Sequence, residues 1–103
     1  MSANYDLIKT AIATRQQVIA TYNGYYRELC PHAIGWSQSG YEQALFFQFA
    51  GDSESGIPPE GERRCLTISD LSKVTLRPGS WHTGVSHSRP QTCVARVDLE
   101  IQL

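Results

Sequence analysis

The chain has 103 residues, which is enough for one hydrophobic core and argues against a second domain, so we expect residues 1–103 to form a single domain. Hydrophobic residues make up 41% of it and charged residues 18%, which is typical of a compact chain and excludes a disordered one. The net charge of −1 gives the whole molecule no electrostatic attraction to nucleic acid or to an anionic membrane.

The first residues predict one helix. Asn4 can cap a helix that ends at about Thr14. Tyr5, Ile8 and Ile12 then share one face, as the period of 3.6 residues requires. We expect this short apolar stripe to dock on a sheet, because a helix of about three turns is too short to be stable alone.

A β-hairpin follows the helix. Residues 18–22 are rich in β-branched and aromatic side chains, and Asn23-Gly24 is the strongest short hairpin signal because both residues tolerate positive φ. The returning strand covers residues 25–30, and we expect Pro31 to end it because proline has no N–H to donate.

Further short strands are separated by turns. Residues 51–62 hold four acidic residues without a basic one and predict a mobile, dispensable loop, and residues 77–90 predict a second loop. The remaining strands are predicted at residues 34–36, 41–49 (with Leu45, Phe47 and Phe49 on one face), 64–68 and 73–76.

The last segment alternates with a period of two residues. This period predicts a half-buried strand over residues 93–103 whose odd-numbered residues face the core. The odd-numbered residues are all apolar: Cys93, Ala95, Val97, Leu99, Ile101 and Leu103. One helix followed by five to six strands predicts a mainly β (α+β) fold, a small and strongly bent Sm/SH3-like barrel with the helix over one end.

The cysteines and the chain start bear on location. Three cysteines (Cys30, Cys65 and Cys93) are an odd number and widely spaced, which predicts reduced, largely buried thiols. Residues 1–10 lack the apolar core of a signal peptide, and the longest apolar run has only four residues. The sequence therefore predicts a cytoplasmic protein without a membrane partner.

The sequence offers no pattern for catalysis or for a cofactor. Spacings between its Cys and His residues do not form the paired motif of a zinc site, so no metal is expected. It has no phosphate-binding glycine loop and no H-E-x-x-H motif. We therefore expect a protein that is not an enzyme.

Aromatic and basic residues point to an anionic ligand instead. Tyr22 and Tyr25 lie near turns, close in sequence to Arg27 and His32, and aromatic faces with an interleaved arginine suit nucleotides. Arg64 begins an otherwise apolar strand face, and its planar guanidinium suits phosphate or carboxylate. Two alternatives stay open: the aromatic side chains fill the core, and Arg64 forms an internal salt bridge with Glu28, Asp70 or Glu42.

Residues 7–74 resemble the WYL domain, a bacterial module named for a Trp-Tyr-Leu motif. The similarity rests on Ile8, Ala11 and Ile12 in the helix and on Val-Ile-Ala-Thr-Tyr (residues 18–22), Arg-Glu-Leu-Cys-Pro (residues 27–31) and Arg-Cys-Leu-Thr-Ile (residues 64–68) in strands. At the motif itself the chain has Gln43-Ala44-Leu45, and Asp70 takes the place of the family's second basic residue.

The resemblance implies a Sm-like barrel and a regulatory or ligand-sensing module, with nucleotides or single-stranded nucleic acid as ligands. In this chain it implies that Arg64, which matches the first arginine of the family, contributes to the ligand site. The alternative function is a structural barrel that forms homo-oligomers through its sheet edges. Residues 77–103 lie outside the resemblance.

Overall fold

The computed structural model describes residues 2–52, 56–57, 61–82 and 92–101. The described chain is an α+β protein with one N-terminal α-helix followed by an antiparallel β-sheet, as the sequence predicts. The elements are α1 (Ala3–Thr14), β1 (Gln17–Tyr22), β2 (Tyr25–Trp36), β3 (Glu42–Gly51), β4 (Glu62–Thr67), a 3-10 turn (Ile68–Asp70), β5 (Leu71–Arg77) and β6 (Arg96–Glu100).

Helix α1 begins earlier than predicted. Its N-cap is Ser2, whose hydroxyl accepts a hydrogen bond from the Tyr5 N–H at 3.2 Å. The Asn4 side chain lies within the helix and donates to the Leu71 carbonyl at 3.2 Å. Asn4 therefore fastens α1 to the sheet, and the predicted cap was wrong because two polar residues near the start compete for that position.

The apolar face of α1 is buried as predicted. Tyr5, Ile8 and Ala11 have no exposed surface, and Ile12 is nearly as buried. Arg15 ends the helix in the left-handed conformation with φ of 54°, and its N–H bonds back to the last turn. In the described part of the chain, no helix has the length and apolarity needed to cross a membrane.

The predicted hairpin is confirmed. Tyr22 pairs with Tyr25, so Asn23 and Gly24 form a two-residue loop between β1 and β2. Their φ angles are 53° and 80°, the combination that a type I′ turn requires at both positions.

Strand β2 does not end at Pro31 as predicted, but continues to Trp36. The pairing register with β3 shifts between Pro31 and Ala33, and proline is tolerated at such a bulge. On the opposite edge of β2, pairing with β1 stops at Leu29 and pairing with β6 starts at Ala33. Pro31 falls in the gap between these two partners, so its missing N–H interrupts no ladder there.

The strand order is β4-β3-β2-β1-β5, with β6 as a third partner of β2. Strands β4 and β5 lie at the two ends of this order, and in the described residues they do not pair with each other. The structure thus has a six-stranded sheet that is not closed, whereas the sequence predicts a barrel.

The main core lies between α1 and one face of the sheet. Strand β3 contributes Ala44 and Phe46, and β2 contributes Leu29 and Ile34, all without exposed surface. The other buried members of this core are Tyr5, Ile8, Ala11, Ile12, Val18, Ala20, Leu66, Ile68 and Leu71.

The opposite face of the sheet is also covered. Leu45 and Phe47 alternate with the core residues of β3, and each is only 5% exposed. Ala33, Leu45 and Val94 form a second small cluster there. We call this side the second face. Burial on both sides explains why four successive apolar residues occur in β3.

The C-terminal strand differs from its prediction. Strand β6 covers only Arg96–Glu100, and Val97 is 44% exposed although its odd number placed it in the core. Val94, an even-numbered residue, is buried on the second face. The register of β2 with β6 shifts between Ile34 and Gly35, which breaks the simple alternation. Leu99 and Ile101 still pack against the main core.

The cysteine prediction was wrong for two of the three residues. Cys65 and Cys93 form a disulfide with a Cα–Cα distance of 5.6 Å, and only Cys30 is a free, buried thiol. The pair is 28 residues apart in sequence and meets only because β4 and the segment before β6 converge. Closing a loop of this length stabilises a fold by about 3–4 kcal/mol in the chain-entropy model.

A polar contact fastens α1 to β6. The Tyr5 hydroxyl donates to Asp98 Oδ2 at 2.7 Å, and Lys9 Nζ lies 3.0 Å from the same oxygen. The Tyr5 ring also stacks on Trp36 with ring centroids 5.6 Å apart. The hydrogen bond from Tyr5, and then the one from Lys9, lower the pKa of Asp98, whereas burial and the Asp98 carboxylate raise the pKa of Tyr5.

Parts of the two predicted loops, residues 53–55, 58–60 and 83–90, lie outside the described residues. The mobility and dispensability of residues 51–62 remain predictions.

Leu99→Asp should lower the free energy of unfolding by about 2–4 kcal/mol, because it places an unpaired charge against the main core. Val97→Asp, two residues away on the exposed side of the same strand, should cost about 1 kcal/mol or less. Urea unfolding measures both. Equal losses would contradict the observed register of β6.

Asp98→Asn should flatten the dependence of stability on acidic pH. A carboxyl with a lowered pKa in the fold contributes stability above its unfolded pKa of about 3.9, and that stability is lost as the pH falls through the folded pKa. Unfolding free energies measured between pH 7 and pH 2 should therefore fall less steeply in the variant than in the wild type. Tyr5→Phe removes the strongest donor to Asp98 and should change the slope in the same direction; slopes identical to wild type in both variants would refute this assignment.

Candidate ligand-binding site

Arg27 on β2 is, together with His32, the most buried of the predicted site residues. Only 4% of it is exposed, and alternation along β2 puts it on the same side as Leu29, which faces the main core. Its guanidinium lies 5.0 Å from the centroid of the Tyr22 ring, and its Nη2 donates to the Tyr22 carbonyl at 3.5 Å. The charge is therefore held against an aromatic face beside the hairpin.

Gln48 on β3 joins this arrangement and was missed by the sequence analysis. It has no exposed surface; its Oε1 accepts from Arg27 Nη1 at 3.2 Å, and its Nε2 donates to the carbonyls of Ala50 and Asp52. One signal could have indicated it: Gln48 is the polar interruption of an apolar stretch in a strand that is buried on both faces.

Arg64 on β4 lies at the rim of the same sheet face. It pairs in register with Phe46, a main-core residue, and its side chain is 18% exposed. Its Nη2 lies 3.0 Å from Glu62 Oε2 and donates to the Gly56 carbonyl at 3.1 Å. The ion pair is thus with Glu62, and not with the three acids considered from the sequence.

Two of those three acids have other partners. Glu28 pairs with Arg77, and Glu42 accepts hydrogen bonds from the backbone N–H and the hydroxyl of Ser2. Asp70 is exposed on the 3-10 turn.

The pairing register brings these groups into one row. Leu29, which follows Arg27 on the same face of β2, pairs with Gln48, and Gln48 pairs with Glu62 on β4. We call Arg27, Gln48, Glu62 and Arg64 the basic row. It crosses three neighbouring strands on the helix side of the sheet and contains two guanidinium groups and one carboxylate.

Tyr22 and Tyr25 lie beside the Arg27 end of the basic row. They pair with each other across the hairpin, both are half-buried, and Tyr22 lies beneath the Arg27 guanidinium. Four of the five predicted ligand-binding residues therefore lie on one face of the sheet.

His32 is separated from the other four. It is 4% exposed, and its ring stacks on Phe47 and Trp81 at centroid distances of 6.3 and 5.8 Å, which places it on the second face. Its Nε2 lies 3.1 Å from the carbonyl oxygen of His82. Simple alternation along β2 accounts for the change of face, because His32 is five residues from Arg27. The bulge at Pro31 acts on the residues that follow, so that Ala33 lies on the second face and Ile34 in the main core.

The described part of the 77–90 loop covers the second face. His82 stacks on Phe49 with centroids 4.2 Å apart, and its N–H donates to the Cys30 sulfur at 3.3 Å. Burial raises the pKa of the Cys30 thiol. Trp81 and His82, for which we predicted no role from the sequence, thus pack on the sheet.

A charged network fixes the start of this loop. Arg77 Nη2 donates to Glu28 Oε1 at 2.5 Å and to Gln17 Oε1 at 2.6 Å. Gln17 in turn donates from Nε2 to the Ser80 carbonyl at 2.7 Å. These contacts satisfy the hydrogen-bonding groups of a guanidinium on the second face, so we assign Arg77 a structural role and not a ligand-binding one.

Other features give no cofactor site. No three His, Cys, Asp or Glu side chains are grouped to hold a metal ion in residues 2–52, 56–57, 61–82 and 92–101. An open cavity of about 210 Å³ lies elsewhere, between the end of α1 and β6. Its lining contains none of the predicted site residues: Ile12, Ala13, Arg15, Leu99, Glu100 and Ile101.

Comparison with known proteins yields no match to a protein-family model, to a curated protein or to a solved structure. The similarity to WYL domains therefore rests on the residues of this chain alone.

Proposed function

We propose that this protein is a non-enzymatic regulatory or ligand-sensing domain that binds a small anionic ligand, such as a nucleotide or a short single-stranded oligonucleotide, at the basic row. The observation that carries the proposal is the placement of Arg27 and Arg64 on one sheet face with Tyr22. Two cationic groups beside an aromatic ring provide charge for a phosphate and a surface for a base.

Within the basic row, Arg64 is the residue that contacts the ligand. Its partners include a backbone carbonyl and the Glu62 carboxylate, whose side chain is 45% exposed. Solvent weakens an ion pair whose carboxylate is exposed, so a phosphate that accepts two hydrogen bonds from Arg64 can replace Glu62. Arg27 is nearly buried and contributes positive potential and the orientation of Tyr22.

We also propose that the sheet is an open form of a Sm/SH3-like barrel, as the WYL resemblance implies. Three features support this: the helix precedes the sheet, β2 contains bulges of the kind that bend strands, and a 3-10 turn connects the two strands that end the sheet order. Because nucleotides and single-stranded nucleic acid are intracellular ligands, we also propose that the protein is cytoplasmic.

Arg64→Gln should abolish most of the binding. Adenosine and guanosine monophosphates and a short oligothymidylate are titrated against the wild type by calorimetry, with thermal shift as a second readout. At least one probe should bind with a Kd below about 1 mM, and Arg64→Gln should weaken it by about tenfold or more. Lys73→Gln removes the same charge from an exposed position on β5 and should change the Kd by about twofold or less.

Two results would contradict the sensor function. One is that no probe binds the wild type below about 1 mM. The other is an equal loss of affinity in Arg64→Gln and Lys73→Gln, which would indicate attraction by overall charge only. Circular dichroism on both variants separates lost binding from lost folding.

A structural, oligomerising role is the second candidate function. It is favoured by β4 and β5, each of which has one neighbouring strand in the described sheet and so leaves an edge for pairing with another chain. Light scattering after size exclusion should then show a molar mass that rises with concentration. A monomer of 11.5 kDa at every concentration would exclude this role.

A further inference from the structure

The disulfide lies at the edge of the sheet beside a hydrogen-bond donor. Cys65 is exposed on the terminal strand β4, and Cys93 is half-buried before β6. The side-chain amide of Gln43 on β3 reaches both sulfur atoms, with Nε2 2.7 Å from Cys65 Sγ and 3.9 Å from Cys93 Sγ.

These contacts suit the reduced sulfurs better than the oxidised ones. A disulfide sulfur is a weak acceptor, whereas a thiolate is a strong one, so the Gln43 amide stabilises a Cys65 thiolate more than the bond. Cys93 Sγ lies 3.5 Å from the Ala44 carbonyl oxygen, which can accept a hydrogen bond only from a protonated thiol. After reduction, each sulfur would therefore have a hydrogen-bond partner: the Gln43 amide for the Cys65 thiolate and the Ala44 carbonyl for the Cys93 thiol.

The bond also controls a defined piece of structure. Cys93 is followed directly by Val94, which packs on Ala33 and Leu45 of the second face. Two residues later the chain enters β6, whose Asp98 holds α1 through Tyr5. Opening the bond removes the covalent restraint on this segment.

We propose that Cys65 and Cys93 form a reversible redox site that is reduced by a dithiol, and that its reduction loosens residues 93–101 from the sheet and from α1. A thiolate of the dithiol attacks the exposed Cys65 sulfur, the S–S bond breaks, and Cys93 leaves as a thiolate that takes up a proton. The second thiol of the dithiol then forms its own disulfide and releases Cys65 as a thiolate beside Gln43. Two electrons pass to the cysteines, and the dithiol is oxidised.

The redox site does not require a ligand at the basic row. Disulfides of cytosolic proteins, where they occur, are usually transient, catalytic or redox-sensing. A reversible bond is thus the kind that is compatible with the cytoplasmic location proposed above.

The test uses the full chain without denaturant. Air-oxidised protein is digested and mapped for the Cys65–Cys93 bond, then treated with dithiothreitol, and the rate of iodoacetamide alkylation is followed for each cysteine by mass spectrometry. The bond should open under native conditions, and Cys65 should be alkylated faster than Cys93. Amide hydrogen exchange in residues 93–101 should rise on reduction, and Cys65→Ser/Cys93→Ser should show the same raised exchange without reductant.

Gln43→Leu should slow the alkylation of Cys65 about tenfold at neutral pH, since it removes the donor to the thiolate. Gln38→Leu, a glutamine substitution in the exposed turn before β3, should leave the rate unchanged. Gln43→Glu keeps the side-chain shape and replaces the donor by an acceptor, so it should also slow alkylation.

Four results would overturn the proposal. A bond that opens only after unfolding would be a permanent structural disulfide. Free thiols in the oxidised protein would mean that the bond does not form. Unchanged hydrogen exchange on reduction would show that the bond does not restrain residues 93–101. Equal alkylation rates in the Gln43 variants and the wild type would show that Gln43 does not stabilise the Cys65 thiolate.

Discussion

Strand β2 pairs with three other strands, because its 12 residues carry β1 and then β6 along one edge and β3 along the other. This double use of one edge requires a break between the two partners, and Pro31 lies in it. The bulge beside Pro31 also decides which later side chains face the helix, so that Ile34 lies in the main core while Ala33 lies on the second face. The contribution of β2 to both the main core and the second cluster therefore depends on that local irregularity.

Features determined by neighbouring residues could be predicted from the sequence, whereas those determined by strand pairing could not. The Asn23-Gly24 turn and the buried stripe of α1 follow from backbone preference and helical period, and both are present in the structure. The disulfide and the reversed burial of Val94 and Val97 depend on where β6 docks, which no local pattern records. Similarly, the sequence suggested Arg27 and Arg64 as candidates but not Gln48, because the contact of Gln48 with Arg27 arises only when β3 lies beside β2.

The environments of the two arginines assign them different tasks. A nearly buried guanidinium is costly unless it is bonded, and Arg27 meets this cost with the Gln48 amide, the Tyr22 carbonyl and the Tyr22 ring. Exchanging these partners for a ligand would leave buried polar groups unsatisfied. Arg64 loses little when it exchanges an exposed carboxylate for a phosphate. The affinity for an anion should therefore depend on Arg64, and the shape of the site on Arg27.

Strand β3 links the basic row to the redox site. Gln48 faces the helix side and contacts Arg27, whereas Leu45 of the same strand packs on the second face beneath Val94. Gln43 at the start of β3 contacts the disulfide. Because one strand contributes to both sites, a change in β3 caused by reduction would alter the position of Gln48 and thus the support of Arg27. Linkage then requires reciprocity: if reduction weakens anion binding, a bound anion must favour the disulfide by the same free energy.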